Sequence, residues 1–543
     1  MRFAAAWRFE DRTIPLMPSL HPDLRKLLEK KIVAARDAAE AAARAALSVL
    51  AVTAPAPYAS LSAEQRTLRV RLRAVLKRLR NAGDRDDESA FESLVGECAY
   101  EQWHRMLFAR FLSENHLLRH PGGAIVTLSD CAELADTEGE PDGWMTAARY
   151  ASAMLPGIFR LDDPVLQVRF APEGRLALEA LLNDLPAPVF TAEDSLGWTY
   201  QFWQTKRKAE VNRGGRKIGG SDLPPVTQLF TEDYMVEFLL HNSLGAWWVS
   251  RHSGDPYPCD LAYLRLNEDG TPAAGGFPGW PDRVADLKVM DPCCGSGHFL
   301  VTAFEVLRRM RMAEEGLPAA AAGDAVIRDN LHGLEIDARC VQIAAFALAL
   351  AAWKTGGYRD LPLPNLSCSG LAVGSSEGEW TRLAKGDVDL EDALRRLYEL
   401  FRQAPDLGSL IDPAAEVGQG LFRQDWEEVA CLLEGVLARE KDDPVGEVFG
   451  AAARGVSRAA GLLAGRYHLV ATNVPYLSRG GQDDILREFC LKRHPNAKAD
   501  LATVFVDRCL AFCTEGGTPA IVTPQNWLFL GSYKHLREEM LKE

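Results

Sequence analysis

Apolar residues recur at helical spacing along the first third of the chain. Residues from about 20 to 50 (LRKLLEKKIVAARDAAEAAARAALSVLAV) predict one Ala-rich helix, closed by PAPYAS. From Ser62, RTLRVRLRAVLKRLR places Leu68, Leu72, Val75, Leu76 and Leu79 on one stripe with arginines around it. ESLVGECAYEQWHRMLFARFLSENHLL continues the helical pattern, so an α-helical domain is predicted over residues 1–194. The period then changes. Beyond Pro225, short β-branched runs (ADLKVMD, NLHGLEID, YHLVATN, TPAIVTP) alternate with helical stretches, which predicts an α/β fold with a doubly wound parallel sheet. Between about residues 380 and 465, LEDALRRLYELFRQ and QDWEEVACLLEGVLARE predict a helical insertion on that sheet. The basic, Gly-rich, aperiodic stretch TKRKAEVNRGGRKIGGSDLPP, residues 205–225, reads as a surface loop or linker.

Composition narrows the classes. At 543 residues, with 47% hydrophobic and 25% charged residues, the chain has material for two or three buried cores. No apolar run of about twenty residues predicts a membrane span, and the N-terminal MRFAAAWRFEDRTIPL is a poor signal peptide. Eleven cysteines without a CxxC pair fit free thiols in a reducing cytoplasm better than disulfides, and no metal site is expected. A net charge of −14 counts against autonomous, tight duplex binding, which rests on neutralising phosphates, but leaves room for a local basic face. For the arginine-rich helix of residues 66–80, phosphate contact and a solvated face are both open. Glu29-Lys30-Lys31, the nearest spelling of a nuclease signature, lies within a helix rather than on strands.

Three segments carry candidate chemistry. In ADLKVMDPCCGSGHFLVTAFEVL a strand ends at Asp291, Gly295 and Gly297 make a turn, and a helix begins near His298. Such a turn lets backbone approach a ligand and presents free N–H groups. The next strand ends in GLEID, where Glu335 is placed to accept hydrogen bonds from ribose hydroxyls and Asp337 suits a helix N-cap. YHLVATNVPYLSRG then delivers Asn473, Pro475 and Tyr476 onto a loop at the sheet's carboxyl edge, where open α/β sheets bind ligands.

In that order, DPCCGSGHFL, GLEID and TNVPY resemble the amino-methylating class of S-adenosylmethionine-dependent DNA methyltransferases. Upstream, PVTQLFTEDYMVEFLLHNSLGAWW resembles the helix before the glycine motif in the gamma subclass, whose target-recognition domain is C-terminal. Downstream, KADLATVFVDRCLAFCTEGGTPAIVTPQNWL resembles the helix and strand that follow the catalytic motif. The likeness spans roughly residues 195–543. AYEQWHRMLFARFL and the long insertion resemble the large single-chain methylases of type IIG restriction–modification and of BREX and DISARM phage defence.

The resemblance implies a Rossmann-like class I methyltransferase domain in two parts, 195–379 and 466–543, around a helical insertion at 380–465. It further implies S-adenosyl-L-methionine as cofactor, the N6 amino group of adenine in double-stranded DNA as substrate, defence-system partner proteins and a cytoplasmic location. Two closing strands and a DNA-reading domain are expected after Glu543, so the chain is expected to be incomplete at its C-terminus. Thr231, Asp291, Gly295 and Gly297 would border the methionine end of the cofactor, and Glu335 the ribose. The family commonly has proline where Glu232 stands, and an aspartate for the adenine end where this chain has Gly370, so a neighbour such as Ser369 would have to substitute. In the catalytic motif Val474 replaces the first of two prolines, while Asn473, Pro475 and Tyr476 keep the amide, the ring that directs a carbonyl, and the stacking aromatic. Two rivals stay open: a methyltransferase acting on RNA or a protein glutamine, and a non-catalytic cofactor-binding scaffold.

Overall fold

The computed structural model describes residues 19–541, apart from 82–85, 157, 159–162, 228–229, 372, 374–375, 385 and 417–443. The stretches MRFAAAWRFEDRTIPL and QDWEEVACLLEGVLARE lie outside the described residues. Five strands, β1 (Val289–Asp291), β2 (Leu331–Glu335), β3 (Asn365–Cys368), β4 (Tyr467–Asn473) and β5 (Cys513–Val522), form one sheet in the order β3-β2-β1-β4-β5. Every pairing is parallel, so the fold is the expected doubly wound α/β type. The strand order reverses between β1 and β4. Asp291, Glu335 and Asn473 therefore end their strands along one carboxyl edge, beside the crevice such a reversal creates.

Burial on both faces explains why β1 and β4 read as continuous apolar runs. Helices His298–Glu315 and Ala338–Gly356 cover one face, closing a core that includes Val289, Phe304, Leu331 and Leu348. Helices Pro444–Ala464 and Leu501–Phe512 cover the other, over Met290, Leu334, Val470 and Phe505. The turn after β1 requires glycine at 297. Its φ is +89°, and a Cβ there would lie 2.9 Å from the Ala344 Cα.

Helices Pro22–Val49, Asp87–Glu114 and Ser195–Gly214 build a third core against the outer side of Ala338–Gly356. That helix is thus enclosed from two sides, which is why IAAFALALAAW is apolar nearly all round. Phe346 stacks on Phe108 with centroids 4.0 Å apart and planes 11° apart. Burying such a ring contributes about 1.5–3 kcal/mol. Polar bonds fix the same interface: Tyr100 donates to the Arg339 carbonyl at 3.0 Å, and Gln342 to Glu101 at 2.7 Å. Asp337 caps the helix at Arg339 N, 3.0 Å away, and also accepts from the Tyr200 hydroxyl of the helical region.

Two basic segments have structural settings of their own. Arg69 and Arg73, on helix Ala63–Asn81, donate to the carbonyls of Ala51, Val52 and Ala54, which follow the end of the first helix. Much of this helix's basic character thus serves the fold. Residues 205–225 are not simply a loop. Helix Ser195–Gly214 runs through their first half because Phe202, Trp203 and Val211 are buried, and it stops at Gly215, whose φ of +59° forms a left-handed cap.

Candidate functional site

The carboxyl edge of the sheet opens into a cleft of about 1040 Å³, mouth included. Asp291, Gly295, Glu335, Asn473 and Pro475 all line it, as does Thr231 from the segment before helix Asp233–Leu240. The structure thus gathers Thr231 and residues from three separate strand ends around one cavity. Gly297, the N-cap of helix His298–Glu315, is not in the lining although Ser296 and His298 on either side of it are, and Tyr476 is not in the lining although Pro475 before it is.

The floor holds two buried carboxyls. Asp291 is 2% exposed and accepts from Cys293 N at 3.1 Å; Glu335 is 9% exposed. One oxygen of Glu335 accepts from Gly295 N at 2.9 Å, the other from Ile336 N at 2.9 Å and Asp337 N at 3.2 Å. These bonds lock the β2 tip to the glycine turn and leave Oε2 with accepting capacity toward the cleft. Burial pushes both carboxyls up to about 7, and the charge of Glu335 adds to the rise at Asp291.

The β4 tip is held as firmly. Asn473 Nδ2 donates to Thr231 Oγ1 at 2.9 Å, and Asn473 Oδ1 accepts from the Tyr476 hydroxyl at 2.5 Å. Thr231 therefore fixes which way the amide faces. Tyr476 is half-buried, and burial pushes its hydroxyl up to about 12, so it stays protonated and donates. Val474, where the sequence departs from a double proline, turns its side chain into the core beneath the loop.

Position 370 is closed to any side chain. A Cβ on Gly370 would lie 2.2 Å from the Ile336 carbonyl oxygen. Ser369 does not take over, because it is fully buried and bonded to Ser409 Oγ at 3.1 Å. Besides Asp291 and Glu335 on the floor, the carboxylate lining the cleft is Asp406, from the segment between β3 and β4. The insertion segment Asp406–Leu410 forms a whole wall, anchored where Ser409 Oγ donates to the Pro292 carbonyl at 2.6 Å. Neither this wall nor Gly197 and Gln201, contributed by the helical region, was signalled by the motifs. Gly197 alone gave a hint, as a glycine inside an aromatic helix; a Cβ there would meet the Phe230 ring at 2.4 Å. His298, at the first turn of its helix, stacks on Phe230 with planes 6° apart and lies 2.9 Å from Asp233. Among the described residues, no three His, Cys, Asp or Glu side chains converge as a metal site.

Comparison with known proteins finds relatives among DNA-methyltransferase and restriction–modification methylase families. Residues 278–358 match the family described as MmeI, DNA-methyltransferase domain, and residues 329–543 match the Eco57I restriction-modification methylase family. The adenine-specific methyltransferase BrxX of Escherichia coli O9:H4 (strain HS) is 28% identical over 518 residues, covering 84% of this chain and 42% of that protein. The adenine-specific methyltransferase PglX of Lacticaseibacillus casei (strain Zhang) is 27% identical over 532 residues, covering 87% of this chain and 43% of that protein. Over most of its length the chain is thus similar to two adenine-specific methyltransferases. It spans about two-fifths of the length of these relatives. A solved DrdV–DNA complex aligns with a TM-score of 0.44 at 13% identity, over 96% of this chain and 38% of that one. Among the described residues no helix is long and apolar enough to cross a membrane.

Proposed function

We propose that the chain transfers a methyl group from S-adenosylmethionine to the N6 amino group of adenine in double-stranded DNA, as part of a restriction–modification or phage-defence system. The observation that carries this reading is the convergence of Asn473, Val474 and Pro475 with Asp291 and Glu335 on one cleft, with Tyr476 bonded to Asn473 just behind that lining. The cleft fits the cofactor chemically. Glu335 Oε2 keeps accepting capacity for a ribose hydroxyl, the turn at Gly295 and Gly297 allows close backbone approach, and the buried carboxyls on the floor suit a cationic ligand. With position 370 closed, Asp406 is the carboxylate on the cleft wall for the adenine amino group. The cofactor supplies, when bound, an electrophilic methyl group.

The chain's own residues act on the acceptor. A base inside a duplex must leave the stack to reach this cleft. Tyr476 offers a ring to stack on it, which offsets part of the unstacking cost. The Asn473 side-chain oxygen and the carbonyl that Pro475 directs accept the two N6 hydrogens, favouring a tetrahedral nitrogen with a usable lone pair. The interaction strengthens as that nitrogen gains positive charge, so it lowers the barrier rather than only tightening binding. No general base is required, since the proton leaves after N6 has become cationic. In the free site the Tyr476 hydroxyl occupies Asn473 Oδ1, so an entering adenine takes its place.

The floor carboxyls make cofactor binding depend on pH. Unfolded carboxyls titrate near 4, whereas Asp291 and Glu335 titrate at about 7. Over that window the unfolded chain has already lost protons that the fold retains. Fold stability therefore falls as pH rises from about 4 to about 7 and then levels off. Donors and positive charge on a bound ligand favour the ionised carboxylates. Calorimetric titration with S-adenosylmethionine should show tighter binding at pH 8 than at about pH 6, with proton release seen as a heat that varies with buffer ionisation enthalpy. No binding at millimolar ligand, or proton uptake, would remove the cofactor assignment.

A further inference from the structure

Helix Ser195–Gly214 ends beside the catalytic loop, and backbone bonds join the two segments. Ile218 N donates to the Gly481 carbonyl at 2.8 Å, Asp483 N to Ile218 O at 2.9 Å, and Lys217 Nζ to Gly480 O. A third segment lies alongside, with Arg479 N donating to Ala499 O at 3.0 Å and Leu501 N to Leu477 O at 3.0 Å. Each strip leads straight into the cleft lining, at Leu223, Pro475 and Leu501 respectively. Each carries cations at its outer end: Arg213 and Lys217 on the first, Arg479 on the second, Lys498 on the third. Arg213, Lys217 and Arg479 are exposed, and Lys498 is half-buried.

We propose that Arg213, Lys217, Arg479 and Lys498 form a phosphate-binding rim that grips the backbone of duplex DNA on either side of the extruded base. The proposal rests on the DNA reading above and names the surface that holds this substrate. Arg479 lies three residues past Tyr476, so its Cα is within about 11 Å of the stacking ring's own backbone. That spacing suits a phosphate next to the flipped nucleotide. Acids near the rim are engaged elsewhere. Asp483 caps Leu486 N at 2.9 Å, Asp500 caps Ala502 N at 2.9 Å, and Asp222 pairs with Arg207 and Arg216. Glu210 lies 3.6 Å from Arg207.

Two glycines point the same way. Nothing lies within 4 Å of where a Cβ would sit on Gly214 or Gly480, and neither has a positive φ. No packing or conformation inside the chain demands glycine there. Bare backbone at the rim admits close approach of a phosphate. The rim also gives a net charge of −14 a local exception, as sequence-independent DNA binding requires.

The test is fluorescence anisotropy with a labelled duplex of arbitrary sequence, since phosphate contacts carry no sequence information. Wild type is compared with Arg213→Gln/Lys217→Gln/Arg479→Gln/Lys498→Gln, and with a Lys26→Gln/Lys30→Gln control at the exposed first turns of helix Pro22–Val49, outside the rim. Each lost phosphate contact should lower the log–log salt slope by about 0.9, so between 50 and 200 mM salt the wild type should lose about a hundredfold more affinity than the rim variant. The control should match wild type, and thermal midpoint and cofactor affinity should be unchanged in all three. The rim is overturned if its variant keeps the wild-type slope, if wild type shows no salt-dependent duplex binding, or if RNA duplex binds more tightly than DNA. Cofactor binding and methyl transfer are read separately, so a wild type that methylates with an unchanged slope in the variant rejects the rim alone.

Discussion

Asn473→Ala should reduce methyl transfer by about 10²–10³-fold or more while leaving cofactor affinity nearly intact. The reason is local. In the proposed reaction Asn473 would contribute the side-chain acceptor at the end of β4, where its amide is oriented by Thr231 and its oxygen accepts from Tyr476. On that proposal truncation would remove an interaction that grows toward the transition state, so kcat should fall more than the KM for the cofactor rises. It also removes the donor to the buried Thr231 hydroxyl and leaves the Tyr476 hydroxyl only the Val522 carbonyl at 3.3 Å, an expected stability cost of about 1–3 kcal/mol that a urea midpoint would register. Asn473→Asp keeps an acceptor oxygen and should retain more activity than Asn473→Ala. Equal loss of catalysis and cofactor binding in the alanine variant would contradict the role given to Asn473.

The second large effect is expected behind the cleft wall. Arg508 is 1% exposed, on helix Leu501–Phe512. Its guanidinium donates to the carbonyls of Ser409 at 3.2 Å, Ile411 at 2.9 Å and Leu463 at 2.9 Å, and pairs with Asp412 at 3.2 Å. It also lies 3.7 Å over the Phe512 ring. Burial pulls its dissociation down to about 10, still high enough to keep the charge at neutral pH. Arg508→Met keeps much of the volume but leaves three carbonyls and Asp412 without that partner. The expected loss is about 3–5 kcal/mol, measured by urea unfolding. Because the stapled residues run directly into the cleft wall Asp406–Leu410, cofactor affinity should fall as well, by about tenfold or ~1.4 kcal/mol. An unchanged urea midpoint with unchanged affinity would mean that the insertion wall holds itself in place.

What could be read from the sequence, and what could not, follows from the range of the interactions. The tips of β1, β2 and β4 were legible because parallel strands are short apolar runs that end in an acid, an amide or a glycine turn. Asp337 was legible as a cap because capping is local, and its carboxylate does accept from Arg339 N. The wall at Asp406–Leu410 was not legible. Its place depends on Arg508, about a hundred residues later in sequence, which in VDRCLAF looks like an ordinary surface arginine. Residues 205–214 misled for a related reason. Their basic, glycine-containing composition reads as a linker, yet Val211 and the aromatic residues before it hold the helix against the rest of the molecule until Gly215. The closure of position 370 depends on how near the Ile336 carbonyl passes, which only three-dimensional structure gives.

The central claim is that this cleft methylates the amino group of a flipped adenine. Its most direct test is nucleoside mass spectrometry after incubating the protein, duplex DNA and methyl-deuterated S-adenosylmethionine, with RNA and protein supplied in parallel reactions. The account predicts deuterated N6-methyladenine in DNA, absent with Asn473→Ala. Label on cytosine, on RNA or on a glutamine side chain, or no transferred label at all despite measured cofactor binding, would contradict it.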